Sequence, residues 1–370
     1  MNSQNTKRKD FFPNLLGNIR LERSAVTAPW VGSVGFRGLC AVLETSRMAC
    51  RFLQQKQEFN EMSGWTTVDC SGEPHCRHEN GFAAYDGKLY LFGGRRIQPV
   101  DIFDPVTGAW TSASSPPLEI HHFQPVIVKD GIWLLGTMTG EFPRETPLER
   151  VLIYRPDTDE WSYGPEIPAT RRRGAAGCVL HDDGWIYLVG GIVDGHHSGT
   201  QSWFDRLNPE TGVWEVLPDA PNKRDHAPCA ILDDKLYFFG GRETGRHEGR
   251  DYEALFGHTI MDVDVFDFDT QSWSVHPEPL PIETAAGGAA WSENRIYYVG
   301  GEATRIEAFR EMQMFDRRSN TWSQGPKLNR GRHGTNCCLN DGKIWIAAGS
   351  GSRGGSPELT SLECIAIPEE

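Results

Sequence analysis

Hydrophobic positions along this chain fall into short runs that end in glycine. Leu89-Tyr90-Leu91-Phe92-Gly93-Gly94 sets the pattern, four apolar residues followed by a Gly pair. It returns as Ile186-Tyr187-Leu188-Val189-Gly190-Gly191, Leu236-Tyr237-Phe238-Phe239-Gly240-Gly241 and Ile296-Tyr297-Tyr298-Val299-Gly300-Gly301. Two weaker copies, Ile132-Trp133-Leu134-Leu135-Gly136-Thr137 and Ile344-Trp345-Ile346-Ala347-Ala348-Gly349, bring the number of units to six. A short apolar run bounded by turn residues reads as a buried strand. Markers at 93, 136, 190, 240, 300 and 348 give steps of 43, 54, 50, 60 and 48 residues. A period in that range predicts a stacked or radial array of supersecondary units.

A second landmark follows each run: a strand, a turn, and a Trp, over Val100 to Trp110, Val151 to Trp161, Phe204 to Trp214, Val263 to Trp273 and Met312 to Trp322. The turns carry tight-hairpin residues, as in Asp104-Pro105-Val106-Thr107-Gly108 and Asn208-Pro209-Glu210-Thr211-Gly212. Each unit is therefore expected to form one four-stranded antiparallel sheet. With its double Gly, the aromatic three positions before it and the Trp after it, the sequence resembles the kelch family. The resemblance runs from about residue 65 to the C-terminus and implies an all-β, six-bladed propeller. The chain is similar to the stand-alone bacterial kelch proteins often labelled galactose-oxidase-like. A shared fold of this kind does not fix a function.

Spacing also predicts how the ring closes. From each hairpin Trp to the next inner strand runs a span of 10 to 12 residues, and Trp65 to Arg77 fits the same rule. Trp65 is thus expected to belong to an outer strand whose blade is completed by the C-terminal strands, removing the open edges of the ring. Residues 1–61 share none of the period and are expected to be a disordered or loosely attached extension. Met62 is a plausible true start, an uncleaved targeting segment is the other reading of this stretch, and 62–370 forms the propeller.

With 50 acidic and 37 basic residues among 370, the net charge of −13 argues against a nucleic-acid or anionic-membrane surface. No run reaches the length of a membrane helix, and no signal-peptide core is present near the start, so the expected location is cytoplasmic. Nine Cys residues show no trusted ligand spacing. Cys178, Cys229, Cys337 and Cys338 read as small core residues; Cys70 and Cys76 are close enough in sequence to consider as a loop bridge.

Alignment on the Gly markers places candidate chemistry just before the inner strands. One column holds Arg77, His121, Arg173, Arg224, Thr284 and Arg332, the next His78, His122, Gly174, Asp225, Ala285 and His333, and a third Glu79, Phe123, Ala175, His226, Ala286 and Gly334. Six such turns crowd one mouth of the central channel. The arginines could be donors to anionic or hydroxyl groups, and they could equally bridge neighbouring turns, as the resemblance implies for this position. His78, His122, His226 and His333 are candidate acid, base or hydrogen-bond partners, with Asp225 or Glu79 orienting them. Among these, His122, His226, His333 and Asp225 are the candidate catalytic set.

Loops after the Gly pairs vary most in length and are expected at the same mouth, where binding sites gather on a rigid scaffold. They include Thr137 to Glu149, Ile192 to Thr200 with Asp194, His196 and His197, and Arg242 to Thr259 with Glu243, His247, Asp251 and His258. His247, Asp251 and His258 are a weak metal pattern, and the expectation is no metal and no cofactor. Some relatives of the resembled family oxidise galactose with copper, chemistry that needs a Tyr joined to a Cys beside two His; no such set is matched here. The expected function is recognition of an anionic or polyhydroxyl, carbohydrate-like ligand, or of an acidic protein partner, at an Arg/His mouth. A mutarotase-like sugar isomerase or epimerase using His with Asp or Glu is the alternative, so enzymatic activity stays open.

Overall fold

The fold is seen in a computed structural model that describes residues 64–129, 131–247 and 252–367. The chain divides into Met1–Cys50 and Arg51–Glu370, and every described residue lies in the second unit. The expected extension, residues 1–61, and the candidate start at Met62 lie outside the described residues, as does Asp251.

Six four-stranded antiparallel sheets make the six blades of the propeller. Blade 1 runs through Asn80–Tyr85, Lys88–Gly93, Asp101–Asp104 and Ala109–Ser112, each strand pairing with the next. Blade 2 is built from Pro125–Val128, Gly131–Leu134, Arg150–Arg155 and Glu160–Glu166. In blades 3, 4 and 5 the inner strands begin at Gly177, Cys229 and Gly288. Cys337–Asn340, Lys343–Ala347 and Leu362–Ala366 form three strands of blade 6, and Thr66–Thr67 supplies the fourth. Its register is Thr66 opposite Cys364 and Thr67 opposite Glu363, so the predicted closure by an N-terminal outer strand is what the fold uses.

Apolar runs become second strands with both faces covered: Leu89, Leu91 and Phe92 are fully buried, as are Ile186, Val189, Leu236 and Phe238. Core clusters form between adjacent blades, as where Tyr237, Phe239 and Val265 of blade 4 pack on Ile296, Tyr298 and Phe315 of blade 5. The hairpin Trp residues act across the same seams. Indole N–H groups of Trp214, Trp273 and Trp65 donate to the carbonyls of Glu166, Pro218 and Pro326 in the preceding blade, at 2.8–3.0 Å. Glycine is required in the double-Gly word because the chain turns there under its neighbour: Gly190 has φ +67°, and a Cβ on it would meet the Phe238 ring at 2.4 Å and the Arg224 carbonyl at 2.6 Å. Cys70 and Cys76 are free thiols, and Cys178, Cys229, Cys337 and Cys338 are buried as expected of small core residues. No described helix is long and apolar enough to cross a membrane.

Candidate functional site

At one mouth of the channel the six blades are stitched into a closed backbone ring. The amide of His122 donates to the carbonyl of Glu79, Ala175 to His122, His226 to Ala175, Ala286 to His226 and Gly334 to Ala286, and Asn80 returns the bond to Gly334, all at 2.8–3.2 Å. Glu79, His122, Ala175, His226, Ala286 and Gly334 all take left-handed φ values of 52–62°. That kink turns the chain into each inner strand and aims the side chain at the axis. The ring corrects the sequence alignment in blade 2: His122, not Phe123, stands level with Glu79 and His226, while His121 takes the column of Asp225 and His333. Blade 2 keeps the spacing of blade 1: counting fourteen residues back from Gly136, the spacing that joins Glu79 to Gly93, gives His122, and the arginine column falls on Ile120 rather than His121.

Three polar side chains of this ring, Glu79, His122 and His226, face three small ones, Ala175, Ala286 and Gly334. Together with Asn80, Gln124, Glu302, His333, Thr335 and Asn336 they line an open cavity of ≈ 530 Å³. The small residues make the room and the polar residues supply the chemistry. Loops after the Gly pairs close in from above. His196, carried on the hairpin Ile192–Asp194 and Ser198–Thr200, places its ring 5.0 Å from that of His122 and 4.9 Å from that of His226. His122 and His226 are themselves 4.9 Å apart, so three imidazoles stand edge to face in a near-equilateral triangle.

Each imidazole is oriented by a neighbour. His226 Nδ1 meets Asp225 Oδ1 at 2.6 Å, and Asp225 is held in turn by the hydroxyls of Thr200 and Thr244. His196 Nδ1 meets Glu145 Oε1 at 2.8 Å. His122 Nδ1 meets His121 Nδ1 at 2.6 Å, and the other nitrogen of His121 faces the carbonyl of Gly140. Arg95 bridges Glu79 and Glu145, and Arg242 holds Glu302. Burial would raise the Glu79 carboxyl, but His122 and Arg95 outweigh it and hold the group well below the usual carboxylate range. Burial also keeps His122 well below its ordinary value and pushes His226 and His121 down to about 4. His226 and His121 are neutral at pH 7.

The arginines stand elsewhere, and their assignment as ligand donors is corrected. Arg77, Arg173, Arg224 and Arg332 are fully buried and do not line the cavity. Their guanidiniums reach the carbonyls of Gly93, Gly190, Gly240 and Ala348 and ion-pair with Asp101, Asp205, Asp264 and Glu363 on the third strand of the same blade. Apart from the Nε–H of Arg224 and Arg332, their donor groups are engaged within the fold, a structural role of the kind left open by the sequence. Where the Arg is missing its acid is missing too: blade 2 has Ile120 and Leu152, blade 5 Thr284 and Gln313. His78 pairs with Glu358 at 2.7 Å, outside the cavity lining. Asp225 is wholly buried behind His226, so it orients a ring without reaching the cavity. His333 does line it.

Sequence reasoning passed over Arg95, Arg242 and Glu302, which follow directly on the Gly pairs and so form a further column at the mouth. It saw His196 only as part of a loop. Of the weak loop pattern, His247 donates from Nε2 to the His196 carbonyl at 2.6 Å, so its ring serves the loop that carries His196.

A six-bladed propeller with a polar cavity at the channel mouth defines a binding scaffold. The family model described as the KLHDC2/KLHL20/DRC7 Kelch-repeats domain matches residues 165–349, and the chain belongs to the kelch-repeat family. Kelch-like protein terF of Aspergillus terreus is 31% identical over 309 residues, covering 77% of this chain and 64% of that protein. Human Kelch-like protein 38 is 25% identical over 73% of this chain and 44% of its own length. This chain therefore spans from under half to just under two thirds of those relatives. The solved structure of YjhT superposes with a TM-score of 0.62 at 16% identity, covering 79% of this chain and 96% of that one, a likeness of fold.

Proposed function

We propose that the cavity binds a small, donor-rich, polyhydroxyl ligand of carbohydrate type. The observation that carries this is a one-sided hydrogen-bond inventory. Asn80 Oδ1, His226 Nε2 and His333 Nδ1 are all buried and make no hydrogen bond. Each is an acceptor in its present state. Asn80 directs its amide nitrogen to Thr335 Oγ1 at 2.9 Å, which leaves its oxygen bare. His333 Nε2 faces the carbonyls of Ser352 and Gly354, which only accept, so that nitrogen bears the hydrogen and Nδ1 is bare. Buried acceptors without donors are costly unless a ligand or water supplies them. Hydroxyl groups do so; a carboxylate does not, and with the arginines engaged in the blades the anionic version of the ligand loses its donors.

Holding a ligand fits the site better than moving its protons. A ring pushed down to about 4, as His226 is, makes a weak base at neutral pH. The test is a thermal-shift and calorimetric comparison of neutral sugars with their sugar-acid counterparts. A neutral sugar at a hundred times its Kd is expected to add about 2.7 kcal/mol of stability, and its acid counterpart less. Ala286→Leu, which fills the small-residue side of the cavity and leaves every acceptor in place, is expected to remove that binding. Tighter binding of the acid form would overturn this reading.

A further inference from the structure

From the geometry we infer that His122, His196 and His226, with Glu79, form a binding site for one divalent transition-metal ion of the zinc class. The site shares His122 and His226 with the ligand cavity, and it is carried by the triangle of imidazoles, which the ligand reading does not use. Ring nitrogens of the three histidines lie within 4.8 Å of one another, and all three residues are buried. In a tetrahedral zinc site with nitrogen at ~2.0–2.1 Å, ligand nitrogens are ~3.3 Å apart, so small side-chain rotations bring the set to bonding distance.

Tautomers make the case specific. The carbonyl of Gly140 can only accept, so His121 bears its hydrogen on Nε2, and its bare Nδ1 must accept from Nδ1–H of His122. Carboxylates Asp225 and Glu145 likewise fix hydrogens on Nδ1 of His226 and His196. Each ring is thereby left with a lone pair on Nε2. A histidine that donates its other N–H to a carboxylate or similar acceptor is the usual support of a metal ligand. His122 and His226 are more than nine-tenths buried, and neither has a hydrogen-bond partner at Nε2.

What faces these lone pairs is a carboxylate, not a donor. Glu79 Oε1 lies 2.8 Å from His122 Nε2 and 3.9 Å from His196 Nε2. An imidazole nitrogen facing a carboxylate at this distance holds a proton or a metal ion between them, and the tautomers above leave the place to the metal. The local charge agrees: Glu79, Glu145, Asp225 and Glu302 are balanced by only Arg95 and Arg242 in direct contact, which leaves two negative charges beside the triangle. Imidazole nitrogens with one carboxylate select a first-row ion such as Zn²⁺, Fe²⁺, Cu²⁺ or Ni²⁺ over Mg²⁺ or Ca²⁺. Because Glu79, His122 and His226 also line the cavity, an ion held by them faces a bound ligand.

The experiment uses the full chain, freed of metal by chelator dialysis and titrated with Zn²⁺ by calorimetry and with Co²⁺ by visible absorption, alongside Mg²⁺. One equivalent of Zn²⁺ or Co²⁺ is expected, with ligand-field bands from Co²⁺ and no heat from Mg²⁺. His196→Ala, in a loop hairpin outside the blades, should abolish that equivalent while keeping the strand circular-dichroism spectrum. Glu145→Gln, which reaches the ion only through His196 and Arg95, should weaken binding by roughly 10–100-fold. His181→Ala, which removes an imidazole stacked on Phe268 and outside the cavity lining, should leave the equivalent unchanged. No stoichiometric binding by the wild-type chain, or an unchanged equivalent in folded His196→Ala, would overturn the site.

Discussion

Replacing Arg224 with Ala is expected to destabilise the propeller by about 3–5 kcal/mol, among the largest effects of any single change in the chain. The guanidinium is fully buried and donates to the carbonyls of Gly240 and Asp262 and to Asp264 Oδ2 at 3.0 Å. Its loss leaves a buried carboxylate without a counter-charge and two carbonyls without a donor. Blade 2 shows the alternative that the same architecture accepts, since the apolar pair Ile120 and Leu152 fills the equivalent positions inside a core cluster. The double change Arg224→Met with Asp264→Leu is therefore expected to recover at least half of the loss, because removing both charges avoids the orphan. Urea midpoints measured at constant m-value decide it. A single variant as stable as the wild type would return Arg224 to the role of a ligand donor.

The repeat was legible because strands and turns write local signals. Gly190, Trp214 and the Asn208 turn each have a backbone or packing reason that a neighbour cannot supply, so the double Gly, the Trp and the hairpin recur in register with the blades. Function at the mouth was less legible, for two physical reasons. The blade 2 column was placed by residue type, a polar His121 standing for the missing Arg, where the constant spacing to the Gly marker puts the apolar Ile120, a slip of one residue. Residue type also says nothing of partner: Arg224 and His226 sit two positions apart, yet the strand directs one into the blade to meet Asp264 and the left-handed kink directs the other to the axis. The paired loss of Arg and acid in blades 2 and 5 was present in the sequence, but it needed the third strands to be placed first.

His196 shows the limit of reading by repeat. It belongs to a hairpin after the Gly pair whose length and sequence differ from blade to blade, and only the fold brings it over the ring to His122 and His226. The three small residues on the other side of that ring, Ala175, Ala286 and Gly334, look unremarkable in sequence. They matter because the cavity exists only where they stand. A site assembled from half of a six-fold ring and one loop is thus the product of symmetry broken in both directions, by added polar groups and by missing side chains.

Removing residues 1–67 is expected to open the ring, whereas a chain lacking only 1–61 keeps it closed. The difference is the segment that holds Trp65, Thr66 and Thr67. Trp65 is 5% exposed, packs with Leu328, Ile344 and Ile365, and donates from its indole to the Pro326 carbonyl at 3.0 Å. Asn329 Nδ2 in blade 5 returns a bond to the Trp65 carbonyl at 2.9 Å. Burial of an indole of this kind is worth about 3–5 kcal/mol on truncation to Ala, so Trp65→Ala alone should lower stability by that amount. Deletion does more. It bares the backbone of Leu362–Ala366 as an edge strand, and an unpaired edge is a template for pairing with another chain. The expected result is a lower thermal midpoint together with concentration-dependent association in light scattering, the second absent from Trp65→Ala, which keeps its strand. If the 1–67 deletion instead melted at the wild-type midpoint and stayed monomeric, blade 6 would be stable with three strands and the N-terminal strand would be an ornament of the fold, not its closure.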